Sequence, residues 1–397
     1  MKMTQSSKIL STLLLTSIMG SAVATAKPLK VYILAGQSNM VGHATTNTLP
    51  YMLQDPATVA LHNRMVDKDG KPIVHKNVYI SLNNEFGLLQ GPLTARFGAK
   101  QDKIGPELAF GITMYEKLQE PILLIKTAWG GKSLHTDFRS PSAGPYVFNE
   151  LQLEKYPKNN KTTVEAMKAD KIKETGHFYR MMIEHVKMVL ADPGKFHPAY
   201  DKKEGYEIAG FAWFQGWNDV TDGNTYPNRG APGSFDSYTT NLRHFIRDVR
   251  KDIDVPKMPF VIGVLGVNGS YLDKTQTDPR HIEFQKAMAA AADLPEFEGN
   301  VFAVHAGLCW DKLQGEADKK KWKIRAEAAE RIKQGKLTQK EQLDYERKRL
   351  AEIHTPEEAI AFKGISNSPY HYLGSAKILS RVGEALAEAL INKKGKN

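Results

Sequence analysis

A three-layer α/β/α sandwich around a mostly parallel five-stranded sheet is the fold this sequence predicts. Three observations carry the prediction. Five short apolar runs each end in a Gly-rich or polar turn, and continuous β-branched and aromatic runs of that length read as strands buried on both faces. Helical stretches alternate with them along the whole chain, the pattern of a sheet covered by helices. The composition is globular, with 397 residues of which 41% are hydrophobic and 25% charged. That balance excludes a collagen-like fibre, wholesale disorder and a multi-span membrane protein.

The first 26 residues stand apart. Lys2 and Lys8 form a positive segment, Ile9 to Ile18 an apolar run, and Ala24-Thr25-Ala26 a small-residue cleavage site. This is the layout of a signal peptide, with an apolar run too short for a bilayer span, which needs ~20 residues. Cleavage after Ala26 would leave a single domain over 27–397, exported to the periplasm or outside the cell and without stable membrane insertion. The expected strands follow at 30–35, 122–126, 209–214, 260–265 and 301–305. Between them, Pro106 opens a helix whose Leu108, Ile112 and Tyr115 share a face. Further helices are expected over 162–190, 238–252 and 281–292. A last one over 374–390 carries Leu379, Val382, Leu386 and Leu390 as one apolar stripe.

Two segments interrupt the alternation. Residues 49–103 carry Pro, Gly and Asn punctuation with short extended runs, which predicts a small β insertion. Residues 316–353 are rich in Lys, Glu, Arg and Ala and predict a solvated helical hairpin, broken near Gly335. Acids and bases are interspersed there, so a charged solvated face explains the segment better than an anion-docking surface does. The chain holds 54 Lys+Arg against 44 Asp+Glu, a formal +10. In an exported protein that excess reads as solubility or attraction to acidic envelope material, not as nucleic-acid binding. The single cysteine, Cys309, excludes a disulfide framework and any multi-thiolate metal site.

Chemistry-bearing residues gather at the ends of three expected strands. The first ends in Gly36-Gln37-Ser38-Asn39-Met40-Val41-Gly42, a serine beyond a buried strand, where ligands of open α/β sheets bind. The second ends in Trp129-Gly130-Gly131-Lys132-Ser133, where a glycine can offer a backbone N–H to a developing oxyanion. The third ends in Gln215-Gly216-Trp217-Asn218-Asp219, bringing out an amide and a carboxylate. His371 stands just before the last helix. His43, His135 and Asp137 lack the spacing of a metal site, so no metal is expected.

These elements together, GQSNMVGHA, IKTAWGGKSL, WFQGWND and YHYLGSA, resemble the motif set of the sialate O-acetylesterase and acetyl xylan esterase relatives within the SGNH (GDSL-like) hydrolases. The resemblance implies a flavodoxin-like sandwich and removal of acetyl groups from carbohydrate without a cofactor. It makes Ser38 the nucleophile and His371 the general base. Gly130, Gln215, Gln37 and Asn39 are then the candidate oxyanion and substrate contacts, with Asn39 also a candidate brace of the turn. Two positions depart from the pattern. Trp217 stands where relatives carry glutamate, and Ser368 where they carry aspartate three residues before the histidine. The remaining motif carboxylate, Asp219, is therefore the candidate to orient His371. The missing acids also motivate an alternative, a non-catalytic carbohydrate-binding protein on the same fold.

Overall fold

The computed structural model describes residues 27–85 and 87–395, so the expected signal peptide lies outside the described residues. In chain order the strands are β1 (Leu29–Gly36), β2 (Ala44–Thr45), β3 (His75–Asn84), β4 (Gly87–Leu93), β5 (Lys103–Ile104), β6 (Ile122–Ala128), β7 (Tyr206–Phe214), β8 (Phe260–Val264) and β9 (Val301–His305). Seven of them form one sheet in the order β4-β3-β6-β1-β7-β8-β9, while β2 and β5 pair separately. Within the seven-stranded sheet only the edge strand β4 runs antiparallel to its neighbour, and the separate β2–β5 pair is antiparallel too. The five expected strands are all present. Two more come from the segment read as an insertion, because β3 joins the main sheet alongside β6.

The central strands are apolar for a physical reason: both faces are covered. Along β7, the rings of Phe211 and Trp213 pack on Phe245 at centroid distances of 6.0 and 4.4 Å. The opposite face at Gly210 receives Leu390, whose Cδ1 lies 3.0 Å from where a Cβ would stand. Burying one such large side chain stabilises the fold by about 1.5–3 kcal/mol. The first covering face is built from the helices His177–Ala191 and Asp236–Asp252, the second from Pro106–Leu118 and Ala376–Asn392. The helices Pro106–Leu118 and Ala376–Asn392 approach backbone to backbone at Gly383, where an added Cβ would sit 2.1 Å from the Pro106 carbonyl oxygen.

Helix ends follow local chemistry. Pro106 occupies the first turn of its helix, and Gln119 ends it in the left-handed region at φ 52°. The single helix expected over 162–190 is two, Val164–Glu174 and His177–Ala191, separated at Gly176 with φ 70°. The charged segment forms the helices Lys312–Lys333 and Gln342–Ile353, which pack on one another. No helix of the described residues is long and apolar enough to cross a membrane.

Candidate active site

The chain leaves β1, builds β3, β4 and β6 on one side, then returns to build β7, β8 and β9 on the other. The sheet therefore reverses direction at β1 and β7, the place where open α/β sheets bind ligands. Register sharpens the point, because Gly36 pairs with both Ala128 and Phe214. The three motif loops thus start from one line across the sheet. Gly36 is required there, since a Cβ would lie 2.2 Å from the Phe214 carbonyl oxygen.

Ser38 is buried at the first position of the helix Ser38–Val41. It is not a helix cap, because Gln37 holds the cap position. Beneath the helix, the Lys126 ammonium donates to the carbonyls of Val41 (2.9 Å) and Phe97 (2.8 Å) and to Glu107 (2.7 Å). Lys126 and Glu107 are both fully buried. Burial pulls the Lys126 ammonium below its usual range, against the pull of the Glu107 carboxylate. Removing one member of such a pair strands the other charge, which costs about 3–5 kcal/mol. The turn that carries Ser38 therefore rests on a fixed strut.

His371 belongs to the turn Pro369–Gly374, which packs against Ser38–Val41. Tyr372 and Leu373 both take positive φ, 50° and 60°, and the Tyr372 hydroxyl accepts from the Gly266 N–H at 2.8 Å. The His371 Nδ1 lies 3.1 Å from the Asn367 side-chain oxygen, which also accepts from the Ser368 N–H at 2.7 Å. An amide oxygen only accepts, so Nδ1 carries the hydrogen and Nε2 keeps its lone pair. His43 stacks on the ring at 4.0 Å, 3° from parallel. Burial, with Lys103 adding to it, lowers the His371 pKa to about 4. Burial followed by His371 lowers that of His43 to about 3. Both rings are neutral at neutral pH. Trp217 and Tyr370 extend the aromatic wall beside His371 at 5.8 Å from each other.

Asp219 is not the partner of His371. Its Oδ2 accepts from the Leu134 N–H (2.9 Å) and Gln215 Nε2 (2.6 Å), and its Oδ1 from the His135 N–H (3.1 Å) and the Tyr226 hydroxyl (3.2 Å). Burial raises its pKa to about 6, opposed by these donors. The reason is helical geometry. Two residues past Trp217 is about 200° around a helix, so Trp217 meets Tyr370 while Asp219 turns inward. Its work is to tie the second motif loop to the third.

Gln215 and Gln37 are likewise committed to structure. Gln215 Nε2 reaches the Lys132 carbonyl at 2.9 Å, and its Oε1 accepts from the Tyr238 hydroxyl at 3.1 Å. Gln37 Oε1 accepts from the Gly216 N–H at 2.9 Å, and its Nε2 donates to Asn218 at 2.9 Å. Both amides thus have their oxygen and nitrogen engaged within the protein. Asn39 does not brace the turn, because its buried amide oxygen and nitrogen have no hydrogen-bond partner among the described residues. The Gly130 N–H points at the Glu85 carboxylate, 3.4 Å away. His135 packs edge-on against Tyr146 at 4.8 Å, and Asp137 holds the Ser133 N–H at 2.7 Å. Among the described residues no three His, Cys, Asp or Glu side chains are grouped to hold a metal.

Asn367, His43 and Glu85 are the site residues that sequence reasoning missed. An amide four residues before the histidine and a histidine within the first motif were the available signals.

A serine and a neutral imidazole at the switch point of an α/β sheet are the equipment of an ester hydrolase. A family model described as "Carbohydrate esterase, sialic acid-specific acetylesterase" matches residues 28–308, and the chain belongs to that family, hydrolases acting on ester bonds. It is similar to a protein of Arabidopsis thaliana named "Probable carbohydrate esterase", 29% identical over 75 residues, which are 19% of this chain and 25% of that protein. The chain thus spans about a quarter of that relative's length. A solved Arabidopsis thaliana structure shares 19% identity at a TM-score of 0.39, covering 70% of this chain and 86% of that one. A novel carbohydrate acetylesterase from Xanthomonas citri shares 13% at a TM-score of 0.39, covering 69% and 49%.

Proposed function

We propose that this chain is an exported serine esterase that removes O-acetyl groups from a glycan, with Ser38 as nucleophile and His371 as general base. The observation that carries the proposal is the His371 ring, whose Nδ1 is held by Asn367 and whose Nε2 is left as the basic nitrogen, in a turn packed on the Ser38 helix. His371 Nε2 takes the hydroxyl proton as Ser38 Oγ attacks the acetyl carbonyl. The carbon–oxygen bond to the sugar then breaks, and the imidazolium returns the proton to the sugar oxygen. Water, deprotonated by the same nitrogen, attacks the acetyl-enzyme and releases acetate. The chemistry needs no cofactor.

The oxyanion falls to backbone N–H groups at the start of the Ser38 helix, which have no intrahelical partner. Gly130 joins them once the substrate displaces the Glu85 carboxylate. The unpartnered Asn39 amide, buried next to Ser38, is a further polar contact. Export rests on the basic, apolar and small-residue layout before Lys27, and directs the enzyme to the periplasm or the medium.

Acetate release from acetylated xylan, pectin and sialic acid tests the activity, with Ser38→Ala as control. The variant should fold normally and lose nearly all turnover, and a serine-directed phosphonate should label the wild type at Ser38 alone. Full activity in Ser38→Ala would overturn the mechanism. N-terminal sequencing of the exported protein should begin at Lys27.

A further inference from the structure

The third motif loop leads away from the nucleophile into a groove that the ester chemistry leaves unused. Asn218, bonded to Gln37 next to Ser38, lines the near part of this groove together with Gly131, in a volume of about 320 Å³. The short helix Trp217–Thr221 carries the wall onward to Asp222, about 6 Å from Asn218 at the helical rise of ~1.5 Å per residue. Lys171, Glu174 and Asp222 line both this part and a second chamber of about 290 Å³ beyond it. The two volumes share walls.

The chamber is built by the helices Glu150–Asn160 and Val164–Glu174 against the loop at 222–225. Its lining mixes ring faces with hydrogen-bonding groups. Tyr156 is 40% exposed and Phe148 is half-buried, so both present open ring surface. Tyr146 is buried in the lining, its ring 4.8 Å from that of Phe148 and its hydroxyl accepting from Gln152 Nε2 at 2.6 Å. Asp222 is fixed in place by the N–H groups of Asn224 and Thr225 at 2.9 and 3.1 Å. Ring faces suit the C–H face of a pyranose, and fixed carboxylates and amides suit its hydroxyls.

Charge narrows the ligand further. Asp170, Glu174 and Asp222 stand against one ammonium, Lys171, which itself pairs with Glu174 at 3.2 Å. These walls repel carboxylated and sulfated sugars. The volume sits at the small end of ligand pockets, ~300–1,000 Å³, which fits one ring better than a chain.

We propose that this chamber is a sugar-binding subsite for a neutral pyranose unit one or two residues from the acetylated one. The substrate is then a neutral oligo- or polysaccharide, not a free acetylated monosaccharide or an acidic sugar. The catalytic half of this proposal rests on the esterase function above; the binding half stands alone.

Two measurements on the mature chain test it. In the first, xylotetraose, cellotetraose and mannotetraose, all free of acetate, are titrated calorimetrically into the wild type, Tyr156→Ala and Phe148→Ala, with tetragalacturonate as the acidic probe. At least one neutral tetrasaccharide should bind, and each substitution should weaken it about tenfold, equivalent to ~1.4 kcal/mol. Tetragalacturonate should bind about tenfold more weakly or not at all. In the second, the ratio of kcat/KM on an acetylated tetrasaccharide to that on the acetylated monosaccharide should fall in both variants, through KM. Absence of neutral binding, equal or tighter binding of the acidic probe, or wild-type binding in both variants would overturn the subsite. No acetate release from any ester would overturn the esterase function instead, and the calorimetry would then decide the subsite by itself.

Discussion

The Nδ1–H of His371 ends on the amide oxygen of Asn367, which orients the ring but brings no negative charge to the imidazolium. The base must be neutral to act, and burial lowers its pKa to about 4. Activity should therefore persist as pH falls through the ordinary histidine range of ~6.5, and the acid limb of kcat/KM should lie near 4. Asn367→Asp should move that limb upward, since a carboxylate within hydrogen-bond reach favours the protonated ring. Asn367→Ala should lower kcat by roughly 10²-fold, because a ring without a partner samples the wrong tautomer. A pH–rate series on the three proteins checks both. An acid limb unchanged in Asn367→Asp would mean that Asn367 does not govern the ring.

This pairing was out of reach of the sequence. The placement of Ser38 and His371 on adjoining turns was legible because their motifs end a buried strand or precede a helix. Which side chain meets Nδ1 depends on the turn at 367–371, where a shift of one residue exchanges Ser368 for Asn367. Asp219 misled for the same reason, since spacing along a motif does not say which side of a short helix a residue occupies.

Among the elements, the five expected strands were readable because burial on both faces forces unbroken apolar runs. The run at 77–82 was legible as extended, but not its place in the main sheet as β3, since its buried residues Val78, Ile80 and Leu82 alternate with polar or half-exposed ones as in a separate insertion. The break at Gly176 escaped notice because both flanking stretches are rich in helix-forming residues, with no proline between them. The last helix was legible as a stripe, and its packing yields a test. At Gly383 an added methyl group would meet the Pro106 carbonyl at 2.1 Å, and backbone cannot swing aside as a side chain can. Gly383→Ala should destabilise the fold by about 1–3 kcal/mol, typical of overpacking. A lower urea midpoint at unchanged slope would register it; a wild-type midpoint would mean that the two helices separate freely.

For the whole molecule, burial of histidines sets the response to acid. His43 is lowered to about 3, and His135, His185 and His371 to about 4, in each case chiefly by burial. Unfolding returns each to ~6.5, so between these values the unfolded chain binds more protons. Stability is then lost as pH falls from about 6.5 toward 4. Asp219, raised from 3.8 to about 6 by burial, acts oppositely over that range, one group against these four and further histidines that burial lowers, among them His75, His197, His281 and His305. The Tm should be highest near neutral pH and drop steadily below about 6.5. Calorimetric scans from pH 8 to 4 would show it, and a Tm constant down to pH 5 would contradict it.

Ser38 and His371, the proposed nucleophile and base, lie on opposite sides of the charged hairpin in the sequence, one before Lys312 and the other after Ile353. The tip between its helices is exposed and carries Lys336 and Lys340, the kind of site where proteases cut without disturbing a fold. The piece beyond the tip keeps its own grip on the sheet, through Leu379, Val382 and Leu386, all buried in the common core. The chain should therefore be divisible into two polypeptides that hold each other without a covalent link. Brief trypsin treatment should give two bands on a denaturing gel and a single active peak on a sizing column. Separately expressed halves divided at the tip should recombine into the same active species.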